Sequence, residues 1–200
     1  MLVLACSCAT ARQAVPVAAP PTSAPAGARS SAPASPQLGS KPATLGALRA
    51  EQGHQPVLVA VAGLSQPAPV QPRTTDPVNG GLDLPTNAAT VAWWASGSGP
   101  GEPTGTVVLA AHVVYDGHTG PFTRLDRLRP GALVVLTTAA GIRYRYAVTG
   151  SRRAPKASLN RAALFSPSGA PMLALVTCGG RYDPVTRSFA DNLVVTAVPV

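Results

Sequence analysis

The chain has 200 residues, with 16 Lys and Arg against 8 Asp and Glu, and a formal net charge of +8 at pH 7. That length allows one medium domain, alone or with a tail. The positive field favours anionic surroundings such as a membrane surface or acidic wall polymers. Nucleic acid is not an expected partner, because the arginines are scattered from Arg124 to Arg187, no aromatic residues interleave with a basic stripe, and no helix-turn-helix, RNP-type or zinc-finger spacing occurs.

The first residues, Met1-Leu2-Val3-Leu4-Ala5-Cys6-Ser7-Cys8-Ala9, are apolar but too few to span a bilayer or complete a signal sequence. Residues 1–13 are expected to be a residual export signal or an anchor segment, with the true start upstream. Val3-Leu4-Ala5-Cys6 also resembles a lipoprotein cleavage box, with Leu4 an imperfect fit. Residues 14–55 follow as a tether dominated by Ala, Pro, Ser, Gly and Thr. That composition buries too little surface to offset its ordering entropy. The globular domain is expected over 56–200.

Within it, short β segments alternate with turn signals. Val57 to Val61 is apolar and β-branched, and Gly63 closes it. Thr86 to Trp94 suggests a short helical turn, with one of Trp93 and Trp94 in the core and the other at the surface. Thr106 to Ala110 reads as a strand, followed by His112 and the Asp116-Gly117 turn. Thr123 to Leu128 suggests a turn of helix. Leu133 to Thr137 and Ile142 to Val148 are strands, the second alternating large and charged groups as a strand with one wet face does. Ser158 to Phe165 reads as two helical turns capped by Ser158 and stopped before Pro167. Met172 to Thr177 and Leu193 to Val198 complete an all-β sandwich or barrel.

Two residues in this pattern carry chemistry. Cys178, the only cysteine of the domain, stands where an apolar run breaks into Gly179-Gly180, a strand end at which a thiol is exposed. His112 also ends an apolar run, and an imidazole beside a thiol accepts its proton and stabilises the thiolate. Their separation of 66 residues (178 − 112) leaves folding to bring them together. The competing description of Cys178 is a small apolar core residue. Pairing with Cys6 or Cys8 would have to cross the tether. His54 and His118 sit in polar loop contexts and read as surface residues, and three dispersed histidines without a Cys-x-x-Cys give no metal spacing.

These segments, in this order, resemble the sortases, and more narrowly the class F type of actinobacteria. The residues that carry the resemblance are Leu84-Pro85, Val91-Ala92-Trp93-Trp94, Pro100-Gly101-Glu102, Ala111-His112-Val113, Gly120-Pro121-Phe122-Thr123-Arg124-Leu125, Leu128-Arg129-Pro130-Gly131, Thr177-Cys178-Gly179-Gly180, Tyr182-Asp183 and Asp191-Asn192-Leu193-Val194-Val195. The resemblance implies an all-β, eight-stranded sortase-type barrel with a few short helices in its connections. It further implies a monomeric, cofactor-free cysteine transpeptidase, extracytoplasmic and held at the envelope by its N-terminal segment. Cys178 would attack an LPXTG-like sorting signal of an exported protein and hold it as a thioester, and an amine of the cell wall would resolve it, with His112 moving the protons. Sortases also place an arginine from the last strand opposite the cysteine. The strand that opens near Ala190-Asp191-Asn192 has none, so Arg187 in the preceding loop is the expected substitute, with Arg124 as a rival. The alternative is a sortase-fold peptide-binding module that has little or no catalytic activity.

Overall fold

The structure is a computed structural model that describes residues 53–63, 66–78, 80–185 and 188–200. The expected anchor segment and tether up to residue 52 lie outside the described residues, as does Arg187. No helix among the described residues is long and apolar enough to cross a membrane.

Eight strands close a barrel in the order β1 (Pro56–Val61), β2 (Ala68–Arg73), β3 (Val91–Trp94), β4 (Thr106–Ala110), β9 (Met172–Asp183), β10 (Ser188–Pro199), β8 (Arg143–Pro155) and β7 (Leu133–Thr138). Two further strands, β5 (Val114–Tyr115) and β6 (His118–Thr119), form a separate hairpin directly after His112. The expected eight-stranded barrel is therefore the observed architecture. Among the described residues, the connections between the strands of the barrel carry 3₁₀ turns at Leu125–Arg127 and Lys156–Ser158 and the short helix α1 (Arg161–Leu164).

The pairings β2/β3 and β4/β9 are parallel and the others antiparallel. Strands buried on both faces read as unbroken apolar runs, and β4 and β9 show why. Val107, Leu109, Leu173 and Leu175 point into the barrel with Leu193, Val195 and Ala197. Val108, Ala174 and Val194 point outward, under Trp94, Leu164 and Phe165. Strand β8 has the expected wet face, with Arg143 and Arg145 exposed and Tyr146 buried.

Several local expectations are corrected. Val91–Trp94 is a strand, not a helical turn, and it is buried throughout. Both tryptophans are buried, Trp93 at 8% and Trp94 at 9% exposure, one inside the barrel and the other in the outer cluster. Strand β2 carries Pro69 and Pro72, residues that cannot donate to a ladder and so conceal a strand from a sequence pattern. Helix α1 is shorter than expected and is capped by Asn160 in place of Ser158, its side-chain oxygen accepting from the Ala163 N–H at 3.0 Å. His54 is half-buried, its Nδ1 lying 3.1 Å from the Pro100 carbonyl oxygen. His118 is exposed on β6, as expected.

Candidate active site

The site arises where two neighbouring strands part. Strand β4 runs parallel to β9 from Thr106 opposite Met172 to Ala110 opposite Val176, and there its pairing stops. Two bonds mark the fork. The Ala111 N–H donates to the Val176 carbonyl at 3.1 Å, and the Thr177 hydroxyl donates to the Ala111 carbonyl at 2.8 Å. Thr177 is buried at 4% exposure, so this side-chain bond lies in a dry setting where it holds firmly. The next residue on each chain is the candidate pair: His112 after Ala111, Cys178 after Thr177. The 66-residue offset of the pair is the offset of the residues that tie them.

Beyond the fork β9 continues beside β10 alone. Cys178 is a free, half-buried thiol directly opposite Asn192. Successive residues of a strand face opposite ways, so Cys178 shares the outer face with Ala174 and Val176. The glycines after it do not end the strand, contrary to expectation. Gly179 pairs with Asp191, and from Phe189 to Asp191 on β10 the partner strand runs from Tyr182 to Gly179, one residue more. Gly180 takes φ +75°, the signature of a bulge that a glycine absorbs, and a Cβ there would collide with the Asp191 carboxylate. The bulge bends β9 and carries it on to Asp183.

His112 is held from three sides. Its Nε2 lies 3.2 Å from the Pro85 carbonyl oxygen. A carbonyl only accepts, so Nε2 carries the hydrogen and Nδ1 is the nitrogen left to exchange a proton. Tyr115 of the hairpin packs over the ring, with centroids 4.6 Å apart and planes at 32°. Gly120 backs the residue so closely that any Cβ would strike the His112 carbonyl. Burial lowers the imidazole pKa from 6.5, against the smaller opposing effect of the Pro85 bond. The ring is therefore mostly neutral at neutral pH and able to take a proton.

Two hollows meet at Cys178. One, of about 570 Å³, is lined by His112, Tyr115, Lys156, Cys178, Ser188 and Phe189 among others, and so brings the thiol and the imidazole to one space. The other, of about 150 Å³, is mostly apolar: Leu82, Leu84, Leu164, Phe165 and Val176 line it with Arg161 and Asn192. Arg124 is exposed beside the 3₁₀ turn and lines neither. Among the described residues, the cations of the two hollows are Lys156 and Arg161, and sequence reasoning selected neither. Lys156 carried one signal, as the single lysine of a domain otherwise furnished with arginine.

A family model described as Sortase domain matches residues 68–200. No curated protein matches the chain by sequence. Among solved structures, the chain is similar to sortase C1 of Streptococcus agalactiae, at 18% identity over 74% of this chain and 70% of that one, with a TM-score of 0.55. It is similar to sortase C of Clostridium perfringens at 17% identity over 74% and 71%, TM-score 0.53. Sortase A of Corynebacterium diphtheriae gives 17% over 73% and 61%, TM-score 0.53. At these identities the structural likeness bears on the fold.

Proposed function

The chain belongs to the sortase family, cysteine transpeptidases of the cell envelope, and from that premise we propose that it is of the class F type, cleaving an LPXTG-like sorting signal and passing the acyl group to an envelope amine. The Cys178 thiolate adds to the carbonyl carbon of the threonine, and the carbonyl π pair moves onto oxygen. Collapse expels the amine, which leaves with the proton that His112 has taken from the thiol. The product is a Cys178 thioester. The acceptor amine then attacks the thioester, gives its proton to His112, and displaces the thiolate as the new amide forms. The Nε2–H bond to Pro85 commits Nδ1 to both transfers.

One observation supports this reading most: the residues just before His112 and Cys178 are tied by the Thr177–Ala111 bond, and both His112 and Cys178 line one hollow. The apolar hollow that Cys178 also lines suits the side chains of an extended sorting peptide. Arg187, the residue before Ser188 in the chain, stays the sequence-based candidate for the oxyanion charge, supported by its place in the sequence alone. Anchoring through residues 1–13 and the tether of 14–55 belongs to the same proposal by composition, and action as a monomer belongs to it through the family resemblance. The test is incubation of the protein with candidate sorting peptides, followed by mass analysis. A peptide acyl adduct on Cys178, absent in Cys178→Ala, is expected. Peptide binding without any adduct would leave the peptide-binding module as the function.

A further inference from the structure

We propose that Lys156 supplies the positive charge that faces the developing oxyanion on the Cys178 thioester path, which deepens, and rests on, the transpeptidase function above. Acyl transfer through a tetrahedral intermediate needs donors aimed where negative charge develops, and such donors are among the largest contributors to rate. Strand β10, Ser188–Pro199, contains neither Arg nor Lys. The strand on its other side makes good the loss. Strand β8 pairs with β10 as far as Pro155 opposite Asp191, and the next residue, Lys156, leaves the ladder there as the first residue of a 3₁₀ turn, with its head group on Ser188 at the start of β10. Ala190 is two residues, about 6.5 Å of strand, from Asn192, and Asn192 is the partner of Cys178.

Lys156 is also held where this role needs it. It is half-buried and lines the same hollow as Cys178 and His112. Its Nζ donates to the Ser188 hydroxyl at 2.7 Å, which fixes the head group at the start of β10. An ammonium has three N–H donors, so two remain for a substrate oxygen. No ion pair among the described residues engages it; those present are Arg73–Asp83 and Arg153–Asp126. Asp116, exposed on the hairpin turn, is the acidic side chain lining the same hollow. Arg161, the other cation beside the thiol, stands in the apolar hollow.

The test compares the full chain with Lys156→Gln, Lys156→Arg, Arg187→Gln and the double variant Lys156→Gln/Ala190→Arg, following Cys178 adduct formation from a sorting peptide. Loss of an oxyanion donor predicts a fall in kcat of about 100-fold for Lys156→Gln with KM and Tm little changed. Lys156→Arg should retain most activity, and the arginine at position 190 should restore part of what Lys156→Gln loses. An active parent with Lys156→Gln within about threefold of it would overturn the assignment, the more so if Arg187→Gln takes the loss instead. A fall in Tm with no rescue by either arginine would reduce Lys156 to a structural tie through Ser188, and so overturn it too. A parent that forms no adduct with any sorting peptide would remove the transpeptidase function itself.

Discussion

Strand β9 is one strand with two lives. From Met172 to Val176 it lies between β4 and β10, and both its faces are packed, Leu173 and Leu175 inward and Ala174 outward. From Thr177 to Asp183 it keeps β10 alone, and its residues become half-buried and then exposed. The difference shows how a barrel can expose a thiol without loosening its core. The packed half fixes the position, and the half freed by the departure of β4 offers the thiol. His112 profits from the same departure, because the chain that leaves the sheet is the one that carries it.

The sharpest contrast is between Leu175→Ala and Thr177→Val, two residues apart on the inward face. Leu175 is fully buried, and its truncation should cost about 2–5 kcal/mol of stability, read from denaturant midpoints. Thr177→Val keeps the volume but removes the donor to the Ala111 carbonyl, which should cost about 1–3 kcal/mol. At temperatures where it remains folded, Thr177→Val should also lose acyl transfer, whereas folded Leu175→Ala should keep it. Equal activity per folded molecule in the two variants would break the distinction between the halves.

Gly120→Ala probes the histidine side of the fork. The added methyl has to displace the His112 backbone, since the contact is with a carbonyl and not with the end of a flexible side chain. A shift on the order of 1 Å in a catalytic group costs about 100-fold in rate, so adduct formation should fall by about that much. A rate equal to the parent's would show that the close approach does not position the imidazole.

The smallest expected effect is on pH dependence. Burial holds the His112 pKa below 6.5 in the folded protein, so between the folded value and 6.5 the unfolded chain binds more protons. Its contribution to stability is thus fully present above 6.5 and declines as pH falls through that window. Going from about pH 7.5 to about pH 5.5, the parent should lose more stability than His112→Gln in matched urea titrations. Equal losses would place the histidine in a more solvated setting than the fork provides.

Much of this arrangement was legible in the chain, for reasons that also explain the gaps. The apolar runs 106–110 and 172–177 declared themselves because both their faces are buried. Cys178 and His112 were visible as residues ending those runs. The glycines after Cys178 were misread as a strand end because a bulge is defined by the partner strand, and residue spacing along one chain does not contain the partner's register. Prolines concealed β2. Trp94 was harder still, since its outer cover comes from Leu164 and Phe165, far along the chain. Lys156 was the least visible of all. Its meaning lies in the contact with Ser188, 32 residues on at the start of β10, and nothing local to residue 156 records that.

The central claim is that the fork between β4 and β9 sets Cys178 up as an acyl-transfer nucleophile served by His112. Mass analysis of the protein after exposure to a sorting peptide, in the parent, Cys178→Ala and His112→Ala side by side, tests it most directly. The account predicts an acyl adduct on Cys178 in the parent, none in Cys178→Ala, and a greatly slowed adduct in His112→Ala. An adduct that forms at the same rate without the imidazole, or that lies on another residue, would contradict it.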